Sequence, residues 1–95
     1  MASSEDYLNY VLDILRNVDG ITHKKMMGEY LLYCDGVLFG GIYDDRFLIK
    51  ITKSNENLNL SKELPYEGSK LMYLIDSENS NYVKDIVMKC VNDLR

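Results

Sequence analysis

The sequence has little of several residue types that define specialised folds. It contains no tryptophan, one proline, two cysteines and one histidine. Two cysteines are too few for a disulfide-rich scaffold, and a single histidine without a CxxC pair excludes the usual zinc-ligand sets. No apolar run approaches the roughly 20 residues that span a bilayer, and the first residues lack the basic and apolar regions of a signal peptide. We therefore expect a cytoplasmic protein with no membrane segment, metal or other cofactor.

Positive charge is also scarce. Eleven Lys and Arg residues face fifteen Asp and Glu residues, which gives a formal net charge of −4. Nucleic-acid binding draws its affinity from clustered Lys and Arg, and the densest basic patch, His23–Lys25, is only a short segment. Direct nucleic-acid binding is therefore not expected. A length of 95 residues with 46% hydrophobic and 27% charged residues fits one domain over residues 1–95.

Two segments have the apolar spacing of amphipathic helices. Apolar residues recur every three or four positions over residues 5–18, after a capping Ser3 or Ser4 and before Gly20, which predicts a first helix. A second stripe follows Asp76 and predicts a final helix over about residues 79–94. The polar run Ser54–Leu60 predicts a third, short helix.

The segment between the first helix and Thr52 changes to the period of strands. It predicts four strands joined by tight turns, of which Asp35-Gly36 is a strong hairpin signal. The four strands are Thr22–Met27, Glu29–Cys34, Val37–Tyr43 and Arg46–Thr52. A loop over Leu64–Gly68 and a fifth strand over Leu71–Ile75 follow. The predicted fold is an α+β two-layer sandwich: an antiparallel sheet of about five strands, meander first, with both terminal helices on one face.

No residue pattern indicates catalysis. His23 has no nucleophile or carboxylate placed against it, so a solvated histidine is the favoured interpretation and no catalytic residue is assigned. Asp44 and Asp45 form an acidic turn that either bonds local backbone or holds a cation, and the lack of a third nearby carboxylate favours the former. Cys34 and Cys90 are predicted to be core residues, with a regulatory thiol or a disulfide as alternatives.

Another group of residues is a candidate interaction or ligand surface. Gly40-Gly41 within an apolar strand predicts a bulge or the close approach of a helix, or the approach of a ligand or partner. Arg46 and Lys50 share one strand face and could hold an anion. Eight tyrosines against two phenylalanines favour half-buried sheet edges or a protein interface. The candidate residues are Tyr30, Gly40, Gly41, Tyr43, Asp44, Asp45, Arg46, Lys50 and Tyr66.

Several motifs occur in an order and spacing that resemble the TfoX N-terminal domain family. They include Lys25–Tyr30 (KMMGEY), Phe39–Arg46 (FGGIYDDR) and Leu64–Lys70 (LPYEGSK). The resemblance implies a two-layer α/β fold and a regulatory role. TfoX (Sxy) proteins are bacterial regulators of natural competence that act with the cyclic-AMP receptor protein, and they carry no catalytic residues to transfer. They also carry a second, C-terminal helical domain, and we expect the present chain, whose sequence ends at Arg95, to lack it.

Two hypotheses of function follow. The first is a non-enzymatic regulatory or protein-interaction domain, with a protein partner such as a transcription regulator, and with a homodimer as a further possibility because one sheet face or edge is open. The second is a domain that binds or transforms an anionic small molecule near Gly40-Gly41 and Asp44–Arg46.

Overall fold

The computed structural model describes residues 3–95, and within that range it contains two helices and six strands. In chain order these elements are α1 (Glu5–Ile14), β1 (Ile21–Met26), β2 (Glu29–Cys34), β3 (Val37–Ile42), β4 (Phe47–Lys50), β5 (Lys62–Glu63), β6 (Met72–Leu74) and α2 (Ser80–Leu94). The strands form one antiparallel sheet in the order β1-β2-β3-β4-β6-β5. The predicted α+β class and opening meander are confirmed. Neither helix of the described range has the length and hydropathy needed to cross a membrane.

Helix α1 begins where the sequence predicts and ends earlier. The Ser4 hydroxyl accepts a hydrogen bond from the Tyr7 amide, which caps the helix. The helix ends at Ile14, and the chain continues in turns to residue 18, so the predicted end at residue 18 is wrong. Leu15 and Val18 are nevertheless buried, because the turns keep the apolar stripe against the sheet.

The two faces of the sheet have different neighbours. Alternate residues of the central strands join apolar residues of α1 and α2 in a single core. Tyr30, Leu32 and Cys34 of β2 lie on this side, whereas Leu31 and Tyr33 point to the open face. The register between β2 and β3 shifts at Leu32/Tyr33, which is the bulge expected beside Gly40-Gly41.

The predicted helix over Ser54–Leu60 does not form, and residues 53–57 make turns instead. Asn55, which is buried, accepts a hydrogen bond from the Thr52 amide at 2.7 Å and donates one to the Lys50 carbonyl at 3.0 Å. These bonds terminate β4 by replacing its next ladder contacts. The Asp93 carboxylate on α2 accepts from the amide and hydroxyl of Ser54, so the turns are fixed to the final helix.

A strand that the sequence analysis did not predict lies at the far edge of the sheet. β5 consists of Lys62 and Glu63, which pair with Tyr73 and Met72 of β6. Two residues are too few to give a period-2 pattern, so the strand has no signal of its own in the sequence.

Helix α2 confirms the predicted final helix and places Cys90 in the core. Asn79 caps it by accepting hydrogen bonds from the amides of Asn81 and Tyr82. Cys34 and Cys90 are both free and buried, as the prediction of core residues requires. Burial raises the pKa of the Cys34 thiol, and it raises the pKa of the Cys90 thiol to about 11. Both thiols are therefore protonated and poorly nucleophilic at neutral pH.

The raised pKa of Cys90 predicts a loss of stability in alkaline solution. The unfolded thiol loses its proton near pH 9 and the folded one near 11, so the unfolded state binds fewer protons between these values and stability falls as pH rises through them. Two pKa units correspond to about 2–3 kcal/mol. Urea unfolding at pH 8 to 11 should show this fall in the native sequence and a smaller one in Cys90→Ala. Equal slopes for the two proteins would contradict the assignment.

Candidate interaction surface

The turn between β3 and β4 holds the N-terminal segment in place. Asp44 and Asp45 both have positive φ, 53° and 54°, which suits a tight hairpin turn. Asp45 accepts a hydrogen bond from the Ser4 amide at 2.8 Å, and its own amide donates to the Ser3 hydroxyl. The Asp45 carboxylate therefore binds the distant N-terminal segment, so the expectation that these aspartates bond backbone within their own turn is wrong.

Glu29 completes this arrangement from the neighbouring strand. Its carboxylate accepts from the amide and hydroxyl of Ser3 and from the amide of Asp44, at 2.9, 2.6 and 2.8 Å. Within residues 3–95, no three His, Cys, Asp or Glu side chains are grouped in a way that could hold a metal ion. The carboxylates of Glu29 and Asp45 thus act as hydrogen-bond acceptors for the chain itself.

Arg46 ties the loop after β5 to the sheet. Its guanidinium forms an ion pair with Glu63 at 2.7 Å and donates to the carbonyls of Leu64 and Pro65, at 3.1 and 3.4 Å. Its Nε also donates to the Tyr43 carbonyl at 3.1 Å. The sequence predicted that Arg46 and Lys50 share one strand face and could hold an anion. In the folded chain its charge is paired with Glu63, so it positions a loop.

The two glycines of β3 are required by close packing. A Cβ on Gly40 would lie 2.3 Å from the Leu48 carbonyl oxygen of β4. A Cβ on Gly41 would lie 2.7 Å from the Tyr30 carbonyl oxygen and 2.8 Å from the Tyr43 ring. The sequence predicted that a helix could approach this pair closely, whereas the groups that approach are the neighbouring strands and an aromatic ring.

A broad groove of about 1050 Å³ lies on the open face of the sheet. We call it the open-face groove. One end is formed by the β1–β2 turn, the floor by sheet residues and the opposite wall by the loop that Arg46 holds. Its lining residues include Met26, Met27, Lys50, Tyr66, Lys70 and Leu71.

The candidate tyrosines divide between this groove and the core. Tyr43 and Tyr66 both line the groove, with ring centroids 6.3 Å apart. Burial raises the pKa of the Tyr43 hydroxyl, with the nearby Tyr66 as a second cause. Tyr30 is only 5% exposed and packs in the core, so the prediction that it belongs to the interaction surface is wrong. It lies there because its strand position faces the helices.

The open-face groove also gathers residues that sequence reasoning missed. Met26, Met27, Tyr66 and Leu71 are 46%, 96%, 63% and 49% exposed, and all four line it. Large exposed apolar side chains gathered on one concave surface are typical of an interaction site. The motif KMMGEY contains two of them, but its strand pattern alone did not show that they meet a loop 40 residues further along the chain.

Comparison with known proteins gives a family assignment. No curated protein matches the chain in a sequence search. The family model of the TfoX N-terminal domain matches residues 13–84 of the 95-residue chain, which includes the whole sheet and the loop that borders the groove. The chain therefore belongs to the TfoX N-terminal domain family.

Proposed function

We propose that this chain is a non-enzymatic protein-interaction domain with a regulatory role, and that the open-face groove is its binding surface. The observation that carries the proposal is the gathering of Met26, Met27, Tyr66 and Leu71 around one groove. Burying such side chains against a partner contributes about 25 cal/mol for each Å² of apolar surface removed from water. The polar hydroxyls of Tyr43 and Tyr66 suit the rim of a protein interface.

The regulatory part of the proposal rests on the family. TfoX (Sxy) proteins, which the chain resembles, regulate competence together with a transcription regulator, and we propose a partner of that kind here. We place the interaction in the cytoplasm, where disulfides are rare, because Cys34 and Cys90 are free and buried. Self-association through the groove is a competing use of the same surface.

A second candidate function is the binding of an anionic small molecule. Lys50 and Lys70 line the groove, and neither makes an ion pair or a side-chain hydrogen bond within residues 3–95. The anion site predicted from the sequence needed both Arg46 and Lys50, and the charge of Arg46 is already paired with Glu63. The protein-interaction proposal is therefore the better supported of the two.

Site-specific photocrosslinking tests the proposal. A photoreactive phenylalanine at position 66 lies on the groove, whereas one at position 10 is exposed on α1 and serves as the matched control. In native bacterial cells we expect a discrete, stoichiometric protein adduct from position 66 that is absent from position 10. Mass spectrometry identifies the adduct, and a mass equal to two copies of the chain indicates self-association. No protein adduct at position 66, or the same adducts from both positions, would contradict the proposal.

A further inference from the structure

The β1–β2 turn contains a residue that its backbone conformation disfavours. Met27 has φ 53° and is followed by Gly28 at φ 83°. Left-handed backbone at a two-residue hairpin turn is readily adopted by Gly, Asn and Asp, and it is strained for a long side chain such as methionine. The next two hairpin turns follow this rule, with Asp35 at φ 50° and Asp44 at φ 53° in the same position. Met27 is the exception.

The strained backbone at Met27 is not offset by packing of its side chain. Its side chain is 96% exposed, so it contributes nothing to the core. Strained residues of this kind gather at functional sites, where another requirement outweighs their cost. Met27 lines the open-face groove together with Met26 and Leu71. A flexible, polarisable methionine is well suited to an adaptable apolar contact with a partner.

The groove carries positive charge in an acidic protein. Lys50 and Lys70 are free of carboxylate partners in the described range, and the protein as a whole has a net charge of −4. The acidic residue that lines the groove, Glu29, accepts three hydrogen bonds from Ser3 and Asp44. The complementary partner therefore carries both apolar and acidic side chains.

The position of the groove favours a helix over an extended segment. It lies over the face of the sheet, where the backbone groups below are already paired in the ladder, so an extended peptide would find no backbone partners. A helix satisfies its own backbone bonds. A cylinder of the groove's volume, about 1050 Å³, with a helix diameter of about 10–12 Å is roughly two turns long. A second copy of this chain is disfavoured, since a two-fold axis through the groove brings like lysines together.

We infer that the open-face groove receives an amphipathic α-helix with an acidic flank, supplied by a partner protein, and that Met27 is its apolar anchor. The inference rests on the proposed function and specifies the partner's chemistry. Lys50 and Lys70 then select acidic over basic helices, and the methionines contact the apolar stripe at spacings of three and four residues.

Two synthetic peptides test the inference. Both are 18-residue amphipathic helices with a leucine stripe and one tryptophan, and their polar positions carry Glu in one and Lys in the other. The protein has no tryptophan, so a fluorescence blue shift reports only on the peptide. We expect saturable binding of the acidic peptide that is at least about 10-fold tighter than that of the basic one and weakens with added salt.

Met27→Asn separates binding from folding. Asparagine relieves the backbone strain, so we expect the Tm to rise by about 4 °C or more while affinity for the acidic peptide falls about 10-fold. The double variant Lys50→Glu/Lys70→Glu should reverse the preference between the peptides. Tyr10→Gln, a change on the exposed side of α1, is the control and should leave binding unchanged.

The possible outcomes distinguish this inference from the proposed function. Equal binding of both peptides, or full affinity in Met27→Asn with a raised Tm, overturns the inference. Failure of both peptides to bind overturns it as well, and a protein adduct from position 66 in that case leaves the proposed interaction domain standing. If position 66 gives no protein adduct, the proposed function itself is contradicted.

Discussion

Gly40→Ala is expected to destabilise the domain by about 3 kcal/mol or more, which is among the largest effects of a single added methyl group. The new Cβ would lie 2.3 Å from the Leu48 carbonyl oxygen and 3.0 Å from the Ile49 Cα. Both are backbone atoms of β4, which is paired with β3 on one side and β6 on the other, so neither can move without disturbing the ladder. Urea unfolding measures the loss directly.

Gly68→Ala is the matched control for this experiment. Gly68 has φ 88° and no atom within 4 Å of an added Cβ, so its substitution tests backbone strain without a clash. We expect a cost of about 1 kcal/mol. A Gly40→Ala protein as stable as the Gly68→Ala protein would show that β3 and β4 are not packed as closely as described.

Arg46→Met is expected to destabilise the protein by about 2 kcal/mol and to loosen one wall of the open-face groove. The substitution keeps an apolar stem but removes the donors to Glu63, Leu64 and Pro65. The figure lies within the range for charge-assisted hydrogen bonds, and partial exposure of the Arg46–Glu63 pair keeps it from being larger. Amide hydrogen exchange over residues 64–71 should accelerate more than exchange in β2 and β3.

Arg16→Met provides the comparison. Arg16 also pairs with a carboxylate, Asp13 at 3.4 Å, but both side chains are more than half exposed. An exposed pair of this kind contributes little, so we expect a change below about 0.5 kcal/mol. Similar effects from the two arginine substitutions, or unchanged exchange over residues 64–71, would refute the positioning role of Arg46.

The secondary structure followed from the sequence where local signals were complete. Ser4 caps α1 and Asp35-Gly36 closes a hairpin, because these residue types satisfy the backbone within a few positions of themselves. Apolar stripes likewise predicted both helices and the central strands. The Ser54–Leu60 prediction failed because Asn55 bonds back to Lys50 and Asp93 of α2 binds Ser54, and the second of these contacts is long-range and has no local signature.

The candidate surface was only partly predictable. Tyr43, Lys50 and Tyr66 were identified from residue type and do line one groove. Tyr30 was included because tyrosine suits interfaces, and its strand position instead turns it into the core. Met27 was missed, since a methionine in a strand-like segment carries no sign of exposure. Its significance comes from its φ angle and its solvent exposure together.

The small numbers of histidines and cysteines and the lack of clustered positive charge argue against a zinc site, a disulfide-rich scaffold and nucleic-acid binding. The alternating and helical spacing of apolar residues predicted the α+β class. Those properties depend on composition and on neighbours in sequence, so the chain determines them by itself. Tertiary structure decided the rest: it paired Arg46 with Glu63, and it set Met27 and Leu71 on one groove with Lys50. Such contacts join residues far apart in the chain, and only the register and packing of the sheet bring them together.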